Sequence, residues 1–144
     1  MMKKFFSVRA HAGEVDLVLL LLRIVCGYAF ILHGWGKIQN PMGWMGPDAA
    51  IPGVFLALAA VAEFFGGIAL IIGLFTHLAA LGLVITMAVA VFMHAFLLGD
   101  PFVHPTGGAA FELGAVYLLV FLLFLVIGPG RFSADHKIFG SKGA

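Results

Sequence analysis

The chain divides into four long apolar stretches separated by short segments rich in glycine, proline and polar residues. Crossing a hydrocarbon core of about 30 Å takes roughly 20 helical residues at about 1.5 Å each. Windows of that kind lie at about 16–36, 54–75, 78–98 and 109–127. The third holds no Asp, Glu, Lys or Arg, and Gly128-Pro129-Gly130 stops the fourth, because that tripeptide does not continue a helix. The windows are continuously apolar and lack the in/out alternation of barrel strands, which argues against a β-barrel. The pattern predicts an all-α integral membrane four-helix bundle, with residues 1–144 forming a single transmembrane domain and short polar termini. Only Thr76-His77 separates the second and third windows, so those helices must form an antiparallel hairpin.

Composition agrees with this pattern. The chain of 144 residues is 62% hydrophobic and 10% charged, with a mean hydropathy of +1.12. A soluble domain carries about 25% charged residues to solvate its surface. A lipid-facing surface tolerates few, since each ion at mid-bilayer costs about 2.5–3.5 kcal/mol. A net charge of +1 gives no reason to expect nucleic acid as a partner. Cys26 is the sole cysteine, so no internal disulfide forms. No small-residue cleavage site follows the first apolar run, which is therefore expected to be a retained helix rather than a signal peptide.

The basic residues set the orientation. Lys3, Lys4 and Arg9 flank the first helix, and Arg131, Lys137 and Lys142 follow the fourth, whereas the loops 37–53 and 99–108 contain only Lys37. By the positive-inside rule both termini are expected on the cytoplasmic side. Trp35, Trp44 and Tyr117 are candidate interfacial anchors. The loop 37–53, rich in Gly, Pro, Met and Trp, is expected to seek the membrane surface or to cap the bundle.

Against this apolar background the informative residues are Arg23, Glu63, Glu112, His33 and His94, ionisable groups at membrane depth. Each is costly there unless it faces a partner, the bundle interior or water. Counting rise, Arg23 stands about 9 Å and Glu63 about 16 Å above the inner boundary, a difference that a guanidinium stem reaches, so an Arg23–Glu63 pair is expected. Such a pair serves equally as a structural bridge fixing helix register. Arg23, Gly27, Phe30, Gly34 and Lys37 share one stripe of the first helix, with His33 at its edge. Taken singly, His33, His94 and Lys37 are better read as snorkelling to the headgroups; their convergence with Glu112 above Glu63 predicts a polar pocket open to the outer side. Gly27, Gly34, Gly66, Gly67 and Gly73 suit close helix packing. A duplicated two-helix unit finds only loose support, because the spacings of its halves disagree. CxxC, HExxH, Walker and GxGxxG motifs are absent, and no metal site is expected. His33 with His94, or Met42-x-x-Met45 beside them, is a weak basis for haem, copper or another metal.

The residues also resemble a known family. Arg23-x3-Gly27-x2-Phe30-x2-His33-Gly34-x2-Lys37 looks like the first-helix signature of the DoxX family. Ala62-Glu63-x2-Gly66-Gly67-x2-Leu70-x2-Gly73-Leu74 resembles its second-helix pattern, and Gly128-Pro129-Gly130-Arg131-Phe132-Ser133-Ala134-Asp135 its closing segment. The likeness runs from about Leu17 to Asp135. It implies a small, multi-pass, four-helix protein of the bacterial inner membrane. Members include subunits of a thiosulfate:quinone oxidoreductase and a membrane component associated with thiol and superoxide defence enzymes. One fold hosts several activities, so the likeness speaks to architecture more than to chemistry.

Three functions remain open on these grounds. The first is the membrane subunit of a quinone-linked or thiol/sulfur-related oxidoreductase system. In it Glu63 or Glu112 relays protons, His33 or His94 binds a carbonyl, Arg23 holds an ionised Glu63 or an anionic intermediate, and Lys37, Gly34 and Phe30 line the quinone slot. The second is a non-catalytic scaffold whose polar tail 131–144 recruits a soluble enzyme, with Ser133-Ala134-Asp135 capping a short interfacial helix. The third is a small transporter or proton pathway, which four short helices in a monomer make least suitable. Besides the lipid bilayer, the expected partners are a soluble redox enzyme, a second membrane subunit or further copies of the chain.

Overall fold

The computed structural model describes residues 12–140, which form a bundle of four principal helices and a short fifth. Helix α1 spans Gly13–Gln39, α2 Gly53–Ile72, α3 Thr76–Phe92, α4 Glu112–Ile127 and α5 Ala134–Phe139. A π-helical turn, Met93–Leu97, extends α3. Among the described residues, Gly13–Gln39, Gly53–Ile72 and Thr76–Leu97 are long and apolar enough to cross a membrane; α4, at 16 residues, is shorter. Its length of about 24 Å falls below a typical hydrocarbon thickness. Lys3, Lys4, Arg9 and Lys142, which carry much of the orientation argument, lie outside the described residues.

The helix ends follow from local chemistry. Glu14 and Asp16 occupy the first turn of α1 and Lys37 its last, each of the sign that the helix dipole favours. Expected to run to residue 75, α2 stops at Ile72, because Gly73 turns into the left-handed region at φ 70°. The Gly73 N–H then donates to Leu70 O and the Leu74 N–H to Ala69 O, closing the helix with a Schellman motif. Helix α4, expected from residue 109, begins at Glu112. The preceding loop folds back instead, with the Phe111 and Glu112 N–H groups donating to Pro101 O and Phe102 O.

The helices run up and down, so α1 and α2 pack antiparallel at backbone distance. A Cβ on Gly67 would lie 2.6 Å from Gly27 O, and one on Gly34 would lie 2.5 Å from Phe64 N. Without a hydrophobic driving force in lipid, such small-residue contacts carry helix association. Replacing Gly67 by valine is therefore expected to push α1 from α2 and to destabilise the bundle by about 1–3 kcal/mol, read as a lowered thermal midpoint in mild detergent. Phe30 joins α1 to α4, its ring meeting those of Phe121 at 4.7 Å and Tyr117 at 5.0 Å, both edge to face. Phe30 and Phe121 form the buried core with Leu19, Cys26, Leu70, Ala80, Leu83, Met87 and Phe124, and Tyr117 packs against it partly buried. Outward-facing side chains such as Val25, Leu32, Phe55, Leu58 and Val126 stay exposed, as a lipid-facing surface requires.

The two ends of the bundle have different polar chemistry. The terminal end holds the start of α1, the α2–α3 turn and the segment after α4. The loop end holds the connections 40–52 and 98–111.

Candidate functional site

At the terminal end the polar groups satisfy the backbone. Arg23, 1% exposed, donates from Nε to Leu70 O (2.9 Å), from Nη1 to Pro129 O (2.8 Å) and from Nη2 to Ile71 O (3.0 Å). Leu70 and Ile71 lie in the last turn of α2, where carbonyls run short of intrahelical partners; Leu70 O also accepts the Gly73 N–H. Arg23 thus caps the negative end of α2 and ties it to the segment after α4. The expected Arg23–Glu63 pair is not formed. Antiparallel packing sets Gly27 against Gly67 and Ile71, so Arg23 stands level with the end of α2. Glu63 is some eight residues, or about 12 Å, further along.

Two carboxylates complete this clamp. Asp16 on α1 accepts the Arg131 N–H at 3.0 Å and its Nε–H at 3.2 Å. Asp135 accepts the N–H groups of Phe75 (2.7 Å) and Thr76 (2.8 Å), while its own N–H donates to Gly73 O (2.8 Å). Phe75 carries a left-handed φ of 49°, and α3 has no side-chain cap of its own. The Asp135 carboxylate supplies that cap from 60 residues away and holds the strained turn. Ser133 caps α5 by accepting the His136 N–H at 3.1 Å. Asp135→Asn is expected to cost about 1–2 kcal/mol, seen as a lower unfolding midpoint. The tail is therefore built into the fold through its first residues, and truncation after Gly130 removes a helix cap as well as any docking surface.

The loop end holds a cavity of about 280 Å³ bounded by α1, α2, α3 with its π turn, and α4. Phe30, Phe111 and Tyr117 give it an aromatic wall, and Met87 and Val91 add aliphatic surface. Lys37, Glu63, His33 and His94 are its polar groups. The Lys37 Nζ donates to both Glu63 oxygens, at 2.6 and 2.7 Å. Glu63 is almost wholly buried, with 2% of its side chain exposed against 24% for Lys37. The ammonium also sits 4.5 Å from the centroid of the Trp44 ring, a cation–π contact. Trp44 is held there by its indole N–H, which donates to Leu56 O at 3.0 Å. The loop 37–53 thus folds over the pair. On the opposite side, His94 Nδ1 and Asp100 Oδ2 are 2.7 Å apart.

Of the residues singled out from sequence, Phe30, His33, Lys37, Glu63 and His94 meet at this cavity. Arg23 belongs to the other end. Gly34 is used up in the α1–α2 contact, where its Cα faces the Phe64 backbone. Glu112 is exposed in the first turn of α4 and is not among the residues lining the cavity. Tyr117 also lines the cavity, and Asp100 and the π turn carried no sequence signal. Among the described residues no cluster of three His, Cys, Asp or Glu is placed to hold a metal.

The arrangement sets an ion pair, two imidazoles and a phenol, groups that donate and accept hydrogen bonds, beside aromatic ring faces. Comparisons with known proteins bear on the fold and location. The DoxX family model matches residues 18–95. A protein of Haemophilus influenzae, described only as uncharacterized, is 41% identical over 123 residues, covering 84% of this chain and 90% of its own. The inner membrane protein YqjF of Escherichia coli is 33% identical over 125 residues, covering 85% and 93% respectively. No solved structure matches the chain.

Proposed function

The chain belongs to the DoxX family of membrane proteins, and from that premise we propose that it is the membrane subunit of an oxidoreductase system whose loop-end cavity receives the head group of a quinone-type carrier. The observation that carries this reading is the Lys37–Glu63 pair enclosed beside the aromatic wall of that cavity. A volume of about 280 Å³ lies near the lower end of small-molecule sites, which suits one ring rather than an extended ligand. The apolar tail of such a carrier belongs between the helices, in lipid. Phe30 and Tyr117 offer the ring faces and edges on which a planar head group stacks.

In this reading Lys37 and Glu63 supply a fixed donor and acceptor where water is scarce, so that each hydrogen bond to ligand oxygen is strengthened by the low local dielectric. Reduction of a quinone consumes two electrons and two protons. The electrons belong to a partner, either a soluble redox enzyme or a second membrane subunit, and the protons to the polar groups of the cavity. Arg23 has no part in this chemistry.

Purification in mild detergent followed by solvent extraction and mass spectrometry tests the proposal. Wild-type protein is expected to retain quinone, and the charge-neutral pair variant K37M/E63Q to lose it while staying folded. A wild-type preparation free of quinone and of any redox partner contradicts the reading.

A further inference from the structure

The outer end of α3 is irregular in a way that an apolar membrane helix does not need. At Met93–Leu97 the ladder switches to π-helical bonding, with the Leu98 N–H donating to Met93 O at 2.9 Å. Such turns leave extra backbone length and recur at functional sites. His94 sits inside it and lines the cavity. Asp100, six residues on, grips it twice: its N–H donates to His94 O at 2.9 Å, and its carboxylate lies 2.7 Å from His94 Nδ1. The His94 side chain is 41% exposed and that of Asp100 20%. The imidazole therefore touches both the cavity and the loop side, whereas Glu63 is sealed at 2%.

We propose that His94 is the side chain through which the cavity ligand hydrogen-bonds and exchanges protons with the loop side, and that Asp100 is the positioning residue that fixes its ring. This rests on the reading of the cavity as a head-group site. A carboxylate only accepts, so Nδ1 must carry the hydrogen in the Asp100 contact. That leaves Nε2 as the exchanging nitrogen. In the neutral ring Nε2 accepts from a quinol O–H; in the protonated ring it donates to a quinone carbonyl. One proton moves between ligand oxygen and Nε2, and Nε2 returns it to or draws it from loop-side water. Asp100 keeps its contact to Nδ1–H in both states. From the other elements, Lys37 and His33 of α1, Glu63 of α2 and Tyr117 of α4 line the same cavity. Of these, Lys37 and Glu63 already engage one another, and among the described residues His33 has no carboxylate contact comparable to the one that fixes His94.

A double-mutant cycle with a short-chain benzoquinone analogue tests this on the full chain in detergent. H94Q and D100N are each expected to weaken binding roughly tenfold, as loss of a hydrogen bond to a charged group does. H94Q/D100N is expected to bind no more weakly than H94Q, because Asp100 acts through His94. Imidazole nitrogen NMR gives a second readout that a merely structural role would not move. The neutral His94 ring should carry its proton on Nδ1 in the wild type and become a tautomer mixture in D100N. Binding by D100N equal to wild type, additive losses in the double variant, or a wild-type ring protonated on Nε2 each overturn the inference while leaving the cavity as a quinone site. Absence of analogue binding to the wild type overturns the cavity reading and this inference together.

Discussion

Replacing Arg23 by leucine is expected to destabilise the bundle by about 3–5 kcal/mol. The guanidinium satisfies three carbonyls, those of Leu70, Ile71 and Pro129. Leu70 O keeps the Gly73 N–H, but the Pro129 and Ile71 carbonyls lose this donor once the side chain becomes aliphatic, and an orphaned buried carbonyl costs about 1–3 kcal/mol. Lysine is a poor substitute, because its single ammonium does not match three acceptors spread over a planar fork. Arg23→Lys should recover no more than about half of the loss. Cys26, buried one turn further along α1, reports the opening directly. Its thiol should resist maleimide labelling in wild-type protein and react readily in Arg23→Leu at the same temperature. Equal labelling rates would show that the terminal clamp does not hold α1 in place.

The second large effect is asymmetric. Lys37→Met leaves the Glu63 carboxylate buried with no cation, at a cost of about 3–5 kcal/mol. Glu63→Gln leaves Lys37, which is partly exposed and lies against the Trp44 ring, so its charge keeps some solvation and a π face. That variant should cost only about 1–2 kcal/mol. K37M/E63Q removes both charges and should be more stable than Lys37→Met alone, the non-additivity expected of directly paired groups. Chemical unfolding of the four proteins in one detergent checks the order. If Lys37→Met and Glu63→Gln are equally destabilised, Glu63 is better solvated than its burial indicates.

Much of the architecture is legible in the residues because the bilayer imposes it. A continuous apolar run of about 20 residues has few alternatives to a spanning helix, and Gly128-Pro129-Gly130 marks the stop of α4. The close α1–α2 seam was readable as a glycine pattern. The polar partnerships were less so. Axial rise places a residue along a helix but does not fix how two neighbouring helices are offset. For that reason axial rise alone matches Arg23 with Glu63, whereas the Gly27–Gly67 contact sets it against the end of α2. Given that offset, Lys37, four turns along the same stripe, is the cation that reaches Glu63. The Asp135 cap lay hidden for a different reason: its partners, Phe75 and Thr76, are about 60 residues away, and capping rules describe neighbours in sequence. Asp100 was silent because its role depends on the π turn, which no pattern of hydrophobic positions announces.

The terminal clamp also changes what a truncation experiment can show. Removing the chain after Gly130 deletes Asp135 together with α5, so lost recruitment of a soluble partner in that variant reflects a loosened α2–α3 turn as readily as a missing docking helix. Substitutions at exposed positions of the tail, Lys137 and Ile138, leave the clamp intact and separate the two.

The most direct test of the loop-end cavity as the ligand site is photo-crosslinking with a quinone that bears its reactive group on the ring, followed by peptide mapping in native lipid. Adducts are expected on cavity residues such as Phe30, Met87, His94 and Tyr117, and they should fall away in K37M/E63Q. Labelling confined to outward-facing residues such as Val25, Leu58 and Val126, unchanged in that variant, would contradict the assignment.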